Sequence, residues 1–138
     1  CRPDQRPAMY RAKTHSIEVK VTPRFVPDRS SPKNGYYFWA YTIEITNHGT
    51  DTVQLKTRYW RITDALGRLQ EVRGPGVVGE EPVLQPGQSF DYTSGVPLPT
   101  PSGFMVGTYG MVGSNGETFD IEVPAFSLDA PDETRVIN

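Results

Sequence analysis

Apolar and polar residues trade places one for one over several short stretches of this chain. Ile17-Glu18-Val19-Lys20-Val21 alternates strictly, which predicts a strand with one buried face. Pro23 and Pro27 bracket Phe25 and confine the end of that strand to an edge or a crossover. Residues 28–35 are polar and read as a loop. The strongest pattern runs from Tyr36 to Thr46. Tyr37, Trp39, Tyr41, Ile43 and Ile45 share one face, and Phe38, Ala40, Thr42, Glu44 and Thr46 share the other. This predicts a central strand whose second half has a wet side. Asn47-His48-Gly49-Thr50 carries the chemistry of a hairpin turn, after which Val53 to Asp64 returns.

In that returning segment the alternation slips. Val53 and Leu55 are odd-numbered, whereas Trp60 and Ile62 are even-numbered. A period-two ladder cannot change parity without an extra residue, so a β-bulge or strand break is predicted near Thr57-Arg58-Tyr59. Ala65 to Arg68 turns the chain into a short strand, Leu69 to Arg73, and residues 74–88 read as loop. Ser89 to Ser94 is a strand, and Val96 to Gly103 is a Pro-rich connection. Phe104 to Val112 is a strand whose Gly107 and Gly110 predict close backbone approach or a bulge. Asn115-Gly116 predicts a type I′ hairpin. Phe119, Ile121 and Val123 alternate with acids until Pro124 breaks the strand, and Phe126 and Leu128 add a short final edge.

These elements predict an all-β chain, an immunoglobulin/fibronectin-III-like antiparallel β-sandwich of seven to eight strands. The expected organisation is a flexible N-terminal segment over residues 1–14, the sandwich over 15–128 and a polar tail over 129–138. Composition agrees with the class. Val, Ile and Thr number 32 and Ala plus Leu only 12, while 13 Gly and 13 Pro are spread along the chain. β-branched residues suit pleated strands, and so many glycines and prolines leave few windows for a helix. No run approaches the roughly 20 apolar residues of a membrane span, so no membrane is expected.

The net charge of −2 excludes the strong basicity of a nucleic-acid-binding domain. The halves differ, with 13 Lys/Arg against 7 Asp/Glu up to residue 73, and Arg135 alone against 9 Asp/Glu beyond it. A sandwich is expected to interleave the halves in space and blur the asymmetry. The single cysteine, Cys1, permits no intrachain disulfide and no cysteine metal site, which suits a reducing compartment. Residues 1–8 read as upstream sequence with Met9 near the natural start; the other reading makes Cys1 the first residue of a mature lipoprotein.

Candidate chemistry is sparse. Gly74-x-Gly76-x-x-Gly79 matches the dinucleotide fingerprint by letters, but Glu80, Glu81, Pro82 and Pro86 follow where the phosphate-binding helix should start. The glycines are expected to serve backbone shape, with at least one at positive φ, one of Val77 and Val78 buried, and Glu80 and Glu81 solvated. His15 and His48 are far apart in sequence, and the adjacent acids Glu80-Glu81 and Asp132-Glu133 match no metal-binding spacing. There is no Gly-x-Ser-x-Gly elbow. Neither an enzyme nor a metal or other cofactor is expected. Lys56-Thr-Arg58-Tyr59-Trp60-Arg61 interleaves basic and aromatic residues as a base-stacking strip would. The expected alternative places Trp60 in the core and the cations on the outer face.

Several motifs, in order, resemble the ApaG family. They are Arg73-Gly-Pro-Gly-Val-Val-Gly-Glu80, Leu84-x-Pro-Gly87, Phe90-x-Tyr92-x-Ser94, Trp60-x-Ile-x-Asp64, Pro101-x-Gly-x-Met105, Gly107-x-Tyr109 and Pro124-x-Phe126. The resemblance runs from about Ile17 to Leu128. It implies a bacterial, cytoplasmic protein with a fibronectin-III-like fold, historically linked to cobalt and magnesium efflux and to a neighbouring diadenosine-tetraphosphate hydrolase gene. Related domains in eukaryotic F-box and polymerase-interacting proteins look like protein-binding modules. The family's glycine motif falls on Gly74, Gly76 and Gly79, and Val96 stands where relatives often carry a cysteine. The expected function is a non-catalytic module for an unidentified protein partner, itself a monomer or weak homodimer. Its partner loop is expected at Arg73, Gly74, Gly76, Gly79 and Glu80. The alternative is a small-ligand module that binds a nucleotide or pyrophosphate at the same loop.

Overall fold

The computed structural model describes residues 9–131. Nine strands occur among the described residues: Tyr10–Thr14 (β1), Ile17–Phe25 (β2), Tyr37–Asn47 (β3), Val53–Asp64 (β4), Leu69–Pro75 (β5), Val83–Leu84 (β6), Ser89–Leu98 (β7), Ser102–Gly113 (β8) and Thr118–Asp129 (β9). They form two antiparallel sheets, ordered β1-β2-β3-β7 and β5-β4-β8-β9, with β6 also pairing β4. The sheets pack face to face as a fibronectin-III-like sandwich. First-half and second-half strands share both sheets, so the charge asymmetry of the sequence is interleaved as expected.

The inner faces follow the alternation. Ile17, Val19 and Val21 of β2, and Trp39, Tyr41, Ile43 and Ile45 of β3, are buried. They meet Trp60, Ile62, Met105, Tyr109, Met111, Ile121, Val123, Phe126 and Leu128 from the other sheet. The centre is aromatic: the Trp60 ring lies 5.6 Å from Tyr41, 6.0 Å from Phe126 and 6.2 Å from Tyr109, each edge-on. Such edge-to-face contacts add about 0.5–1.5 kcal/mol each beyond area burial. Trp39 Nε1 donates to the Asp129 carbonyl at 3.1 Å, so the buried indole is satisfied.

The parity slip in β4 is a bulge. Leu55 pairs Met111 and Thr57 pairs Gly110, so Lys56 is the extra residue, just before the predicted position. β9 contains a second slip. Met105 pairs Phe126 and Gly107 pairs Val123, leaving Pro124 and Ala125 opposite Val106. This corrects the expected strand break: β9 runs through Pro124 because a bulge tolerates a residue without an N–H. Gly107 answers to close approach, since a Cβ there would lie 2.4 Å from the Tyr59 carbonyl and 2.7 Å from the Trp60 ring.

Other expectations change. Residues 10–14 belong to the sandwich as β1, so the expected flexible segment does not extend through residue 14. Residues 1–8 and 132–138, with Asp132-Glu133, lie outside the described residues. The β1–β2 turn is formed by His15 and Ser16 at φ 51° and 66°, a type I′ pair built without Asn or Gly. Asn115-Gly116 is not type I′, because only Gly116 has positive φ. The Gly116 N–H reaches the Gly113 carbonyl at 3.0 Å, as in the longer hairpin loop that ends on a left-handed glycine. Asn47 to Thr50 is not a hairpin but a crossing between sheets, since β3 and β4 do not pair. Buried Asn47 organises that crossing: its Nδ2 donates to Asp51 O and Leu84 O, and its Oδ1 accepts from Gly49 N. β7 extends through Pro97 to Leu98, and residues 74–88 include the end of β5 and the short β6.

Replacing Gly107 tests the close approach. Gly107→Ala is expected to lower unfolding stability by about 1–3 kcal/mol. Gly113→Ala, whose added Cβ would meet nothing closer than 3.4 Å, is expected to change it by less than about 0.5 kcal/mol. Urea denaturation of the two variants decides, and equal losses would remove the steric explanation.

Candidate functional site

The β4 bulge turns Arg58 toward the inner face. Its side chain passes beneath Gly74, where a Cβ would lie 3.1 Å from Nη2. Nη1 then donates to the Pro75 and Gly76 carbonyls, both at 2.9 Å. The chain leaves β5 through Gly76, whose N–H donates to the Lys56 carbonyl at 2.9 Å. Gly76 has φ 60°, and a Cβ there would lie 2.3 Å from the Glu80 carbonyl oxygen, so only glycine fits. Val77 and Glu80 then exchange both backbone hydrogen bonds at 2.8 Å. The two residues between them, Val78 and Gly79, have φ 43° and 80°, which makes a type I′ turn. Val77 is buried and Val78 is 55% exposed. A β-branched residue in the left-handed region is a genuine outlier, at a cost of roughly 1–2 kcal/mol.

The loop joins Gly76, Gly79 and Glu80 in one tight turn, with two of the three motif glycines at positive φ. Gly74 lies within β5 instead. Arg73 points to the outer face, its guanidinium 4.2 Å from the centre of the Tyr59 ring. The Tyr59 hydroxyl bonds the Glu71 carboxylate, and that bond raises its pKa. Glu80 is exposed, and Glu81 pairs with Lys56 at 2.7 Å. The N–H groups of Gly76, Val77 and Glu80 are all occupied by carbonyls, and no helix starts at Gly79. The five residues singled out therefore do not converge on one point, and the letters of the dinucleotide motif build no helix-capped phosphate cradle. Among the described residues, no three His, Cys, Asp or Glu side chains gather as a metal cluster would.

Beside this loop the sandwich is open. β5 and β7 are both sheet edges, and a cleft of about 300 Å³ lies between them. Its floor is Tyr41, Trp60 and Tyr92; Val72, Val78, Ser94 and Pro97 form the sides. The Tyr92 and Tyr109 hydroxyls share a 2.5 Å hydrogen bond in the interior. Burial pushes the pKa of Tyr41, Tyr92 and Tyr109 up, so the phenols stay neutral. Arg58 reaches the same cleft, and no carboxylate lies within 4 Å of it among the described residues. The sequence pattern predicts Arg58 on the outer face with Lys56 and Arg61. The bulge, which falls before Arg58 rather than at it, corrects that. Elsewhere an apolar hollow of about 600 Å³ is lined by Phe25, Pro27, Pro32, Tyr37 and Pro101 among others, with no cation.

The fold and the glycine-shaped loop together define a fibronectin-III-like domain with a built tight turn beside an open sheet edge. Known proteins then place it. The ApaG domain family matches residues 27–113. Protein ApaG of Bradyrhizobium diazoefficiens is 65% identical over 130 residues, covering 94% of this chain and all of that protein. Protein ApaG of Rhodospirillum centenum is 60% identical over 123 residues, covering 89% and 95% respectively. The crystal structure of the putative ApaA protein from Bordetella pertussis superposes with a TM-score of 0.82 at 51% identity, over 86% of this chain and 97% of that one. The C-terminal domain of wzt shares the fold at a TM-score of 0.55 and 12% identity, over 95% of this chain and 83% of that one. The chain belongs to the ApaG family.

Two outcomes follow from this geometry. Val78→Asn, which relieves a β-branched side chain at positive φ, is expected to raise stability by about 1 kcal/mol. Gly76→Ala is expected to lower it by about 1–3 kcal/mol. Thermal unfolding measures both, and a destabilised Val78→Asn variant would refute the strain. The buried phenols set the alkaline limit. A tyrosine whose folded pKa exceeds its unfolded one gives stability that is complete below about pH 10 and is lost as the pH rises above it. Ultraviolet titration is expected to show Tyr92 and Tyr109 ionising only as the protein unfolds. All tyrosines titrating together in the folded state would contradict this.

Proposed function

We propose that this domain is a non-catalytic binding module for another protein, and that the Val78 turn and the adjoining β5 edge form its recognition surface. The observation that carries this is Val78. A glycine-shaped loop holds an apolar, β-branched side chain at φ 43° and presents it to solvent. Strain of that kind persists only where the surroundings hold it, and it concentrates at functional sites. A rigid sandwich that presents a loop is a common design for recognition. The acid–base inventory of the described residues supports a binding role: His48 sits 3.0 Å from Glu18 on the outer face, and no hydroxyl or thiol among the described residues bonds either. In this reading the chain works in the cytoplasm as a monomer or weak homodimer. The efflux association that the family resemblance implies then runs through the bound protein.

Affinity capture from bacterial cells with the wild-type chain, Val78→Asp and the surface control Phe104→Ser tests this reading. A set of proteins retained by wild type and control but lost with Val78→Asp is the expected result. Titration with nucleotides and magnesium, followed by NMR, is expected to leave residues 73–80 unmoved. A captured set indifferent to Val78→Asp, or saturable nucleotide shifts at residues 73–80, would overturn the proposal.

A further inference from the structure

Apart from the two-residue β6, the sheets have four edge strands among the described residues, and three are protected. β1 and β9 are tied to each other: the Glu122 N–H donates to Thr14 Oγ1 at 3.3 Å and the Ser127 N–H to the Tyr10 hydroxyl at 3.4 Å. β7 carries Pro97 within its length, the usual device that stops a further strand from adding. β5 has neither defence. Its pairing with β4 is free of bulges, its one proline is its last residue, and among the described residues its backbone bonds no segment except β4. An edge strand directs alternate N–H and C=O groups outward and can template a further strand.

The side chains under that edge are specific. Gly74 lets the Arg58 guanidinium lie against β5 at the gap between the sheets, because no Cβ blocks it, and Nη1 there donates to the Pro75 and Gly76 carbonyls. Its charge there has no carboxylate within 4 Å among the described residues, and the phenols nearby are neutral. Around it the cleft mixes apolar groups, Val72, Val78, Val96 and Trp60, with the neutral polar groups of Gln70, Ser94 and Tyr92. A half-buried cation held only by neutral groups is most stable opposite a carboxylate that accepts the guanidinium fork.

We propose that the partner segment is an extended strand bearing a carboxylate side chain. It pairs with the free edge of β5, sets that carboxylate on the Arg58 guanidinium, and rests an apolar side chain two positions away on Val72 and Val78. Main-chain bonds to the edge supply affinity, and the side chains that enter the cleft, every second residue, supply selectivity. This deepens the binding-module reading and rests on it. The partner is identified here by chemistry alone: an acidic, alternating, proline-poor segment.

The test is selection of random linear peptides displayed on phage against the whole chain. Enriched peptides are expected to share an Asp or Glu within an alternating apolar pattern. Synthetic copies are expected to slow amide exchange along β5 and to lose about ten-fold or more in affinity with Arg58→Gln, a change of about 1.4 kcal/mol. A second pair of variants guards against misfolding. Val78→Asn and Val78→Asp both suit positive φ and both remove the apolar contact, so each is expected to weaken binding, and a further loss of about ten-fold with Val78→Asp reads the charge alone. Acid-free binders, binders indifferent to both Arg58→Gln and Val78→Asp, or no enrichment would overturn the proposal. So would sodium citrate slowing β5 exchange as the peptides do, since a free carboxylate would then suffice. Peptides that bind through Val78 without slowing β5 exchange would sink strand addition and leave the binding-module reading standing.

Discussion

β8 runs between two bulged neighbours, and its own alternation is unbroken: Met105, Gly107, Tyr109 and Met111 all face inward. β4 on one side takes an extra residue at Lys56, and β9 on the other takes one at Pro124-Ala125. The slip in β4 decides what the core contains. Without it Thr57, Tyr59 and Arg61 would face inward and Trp60 and Ile62 outward. An unpaired buried guanidinium costs several kcal/mol, so that register has no competitive fold. With it Trp60 lands edge-on against Tyr41, Tyr109 and Phe126, in space that Gly107 leaves by lacking a Cβ. Bulge, glycine and indole therefore act as one unit, and none would be tolerated alone.

The same inserted residue builds the recognition loop. It turns Arg58 inward beneath Gly74, where the guanidinium satisfies two carbonyls at the point where β5 ends. Backbone groups at the end of an edge strand otherwise depend on water or a cap. With those carbonyls fixed, Gly76 can turn the chain sharply, Val77 can be buried, and the Val77–Glu80 pair can clamp Val78 in a conformation that it resists. Burying a valine side chain contributes roughly 1.5–3 kcal/mol, enough to offset one left-handed residue.

Sequence patterning resolves part of what depends on parity. The inward face of β3 and the presence of a bulge in β4 follow from period two, and the close approach at Gly107 follows from a glycine inside a strand. Sheet membership does not. Asn47-His48-Gly49-Thr50 has the letters of a hairpin, yet Asn47 spends its side chain bonding Asp51 and Leu84 and so carries the chain to the other sheet. Turn type was equally opaque, since His15-Ser16 adopts type I′ without Asn or Gly, whereas Asn115-Gly116 does not. Pro124 has the letters of a strand break, because nothing in the alternation announces the bulge in β9. Arg58 faces inward because the extra residue is Lys56, one before the stretch in which the parity change places the slip. A one-residue error in a bulge exchanges the faces of the residues beside it, and here it hid the cation that points into the cleft.

An open edge is ordinarily a hazard, because a second copy of the same chain is the most abundant strand available to it. The charges around β5 disfavour that pairing. Two β5 edges brought together antiparallel would bring two Arg58 guanidinium groups into adjoining parts of one low-dielectric gap, with no carboxylate there to neutralise either. Like charges so placed repel strongly, because screening by water and salt is weak inside a cleft. A strand that brings its own carboxylate reverses the sign of that interaction at the same site. In the proposed mode, one inward arginine both discourages self-association and selects an acidic partner, the paired attraction and repulsion from which specificity is built.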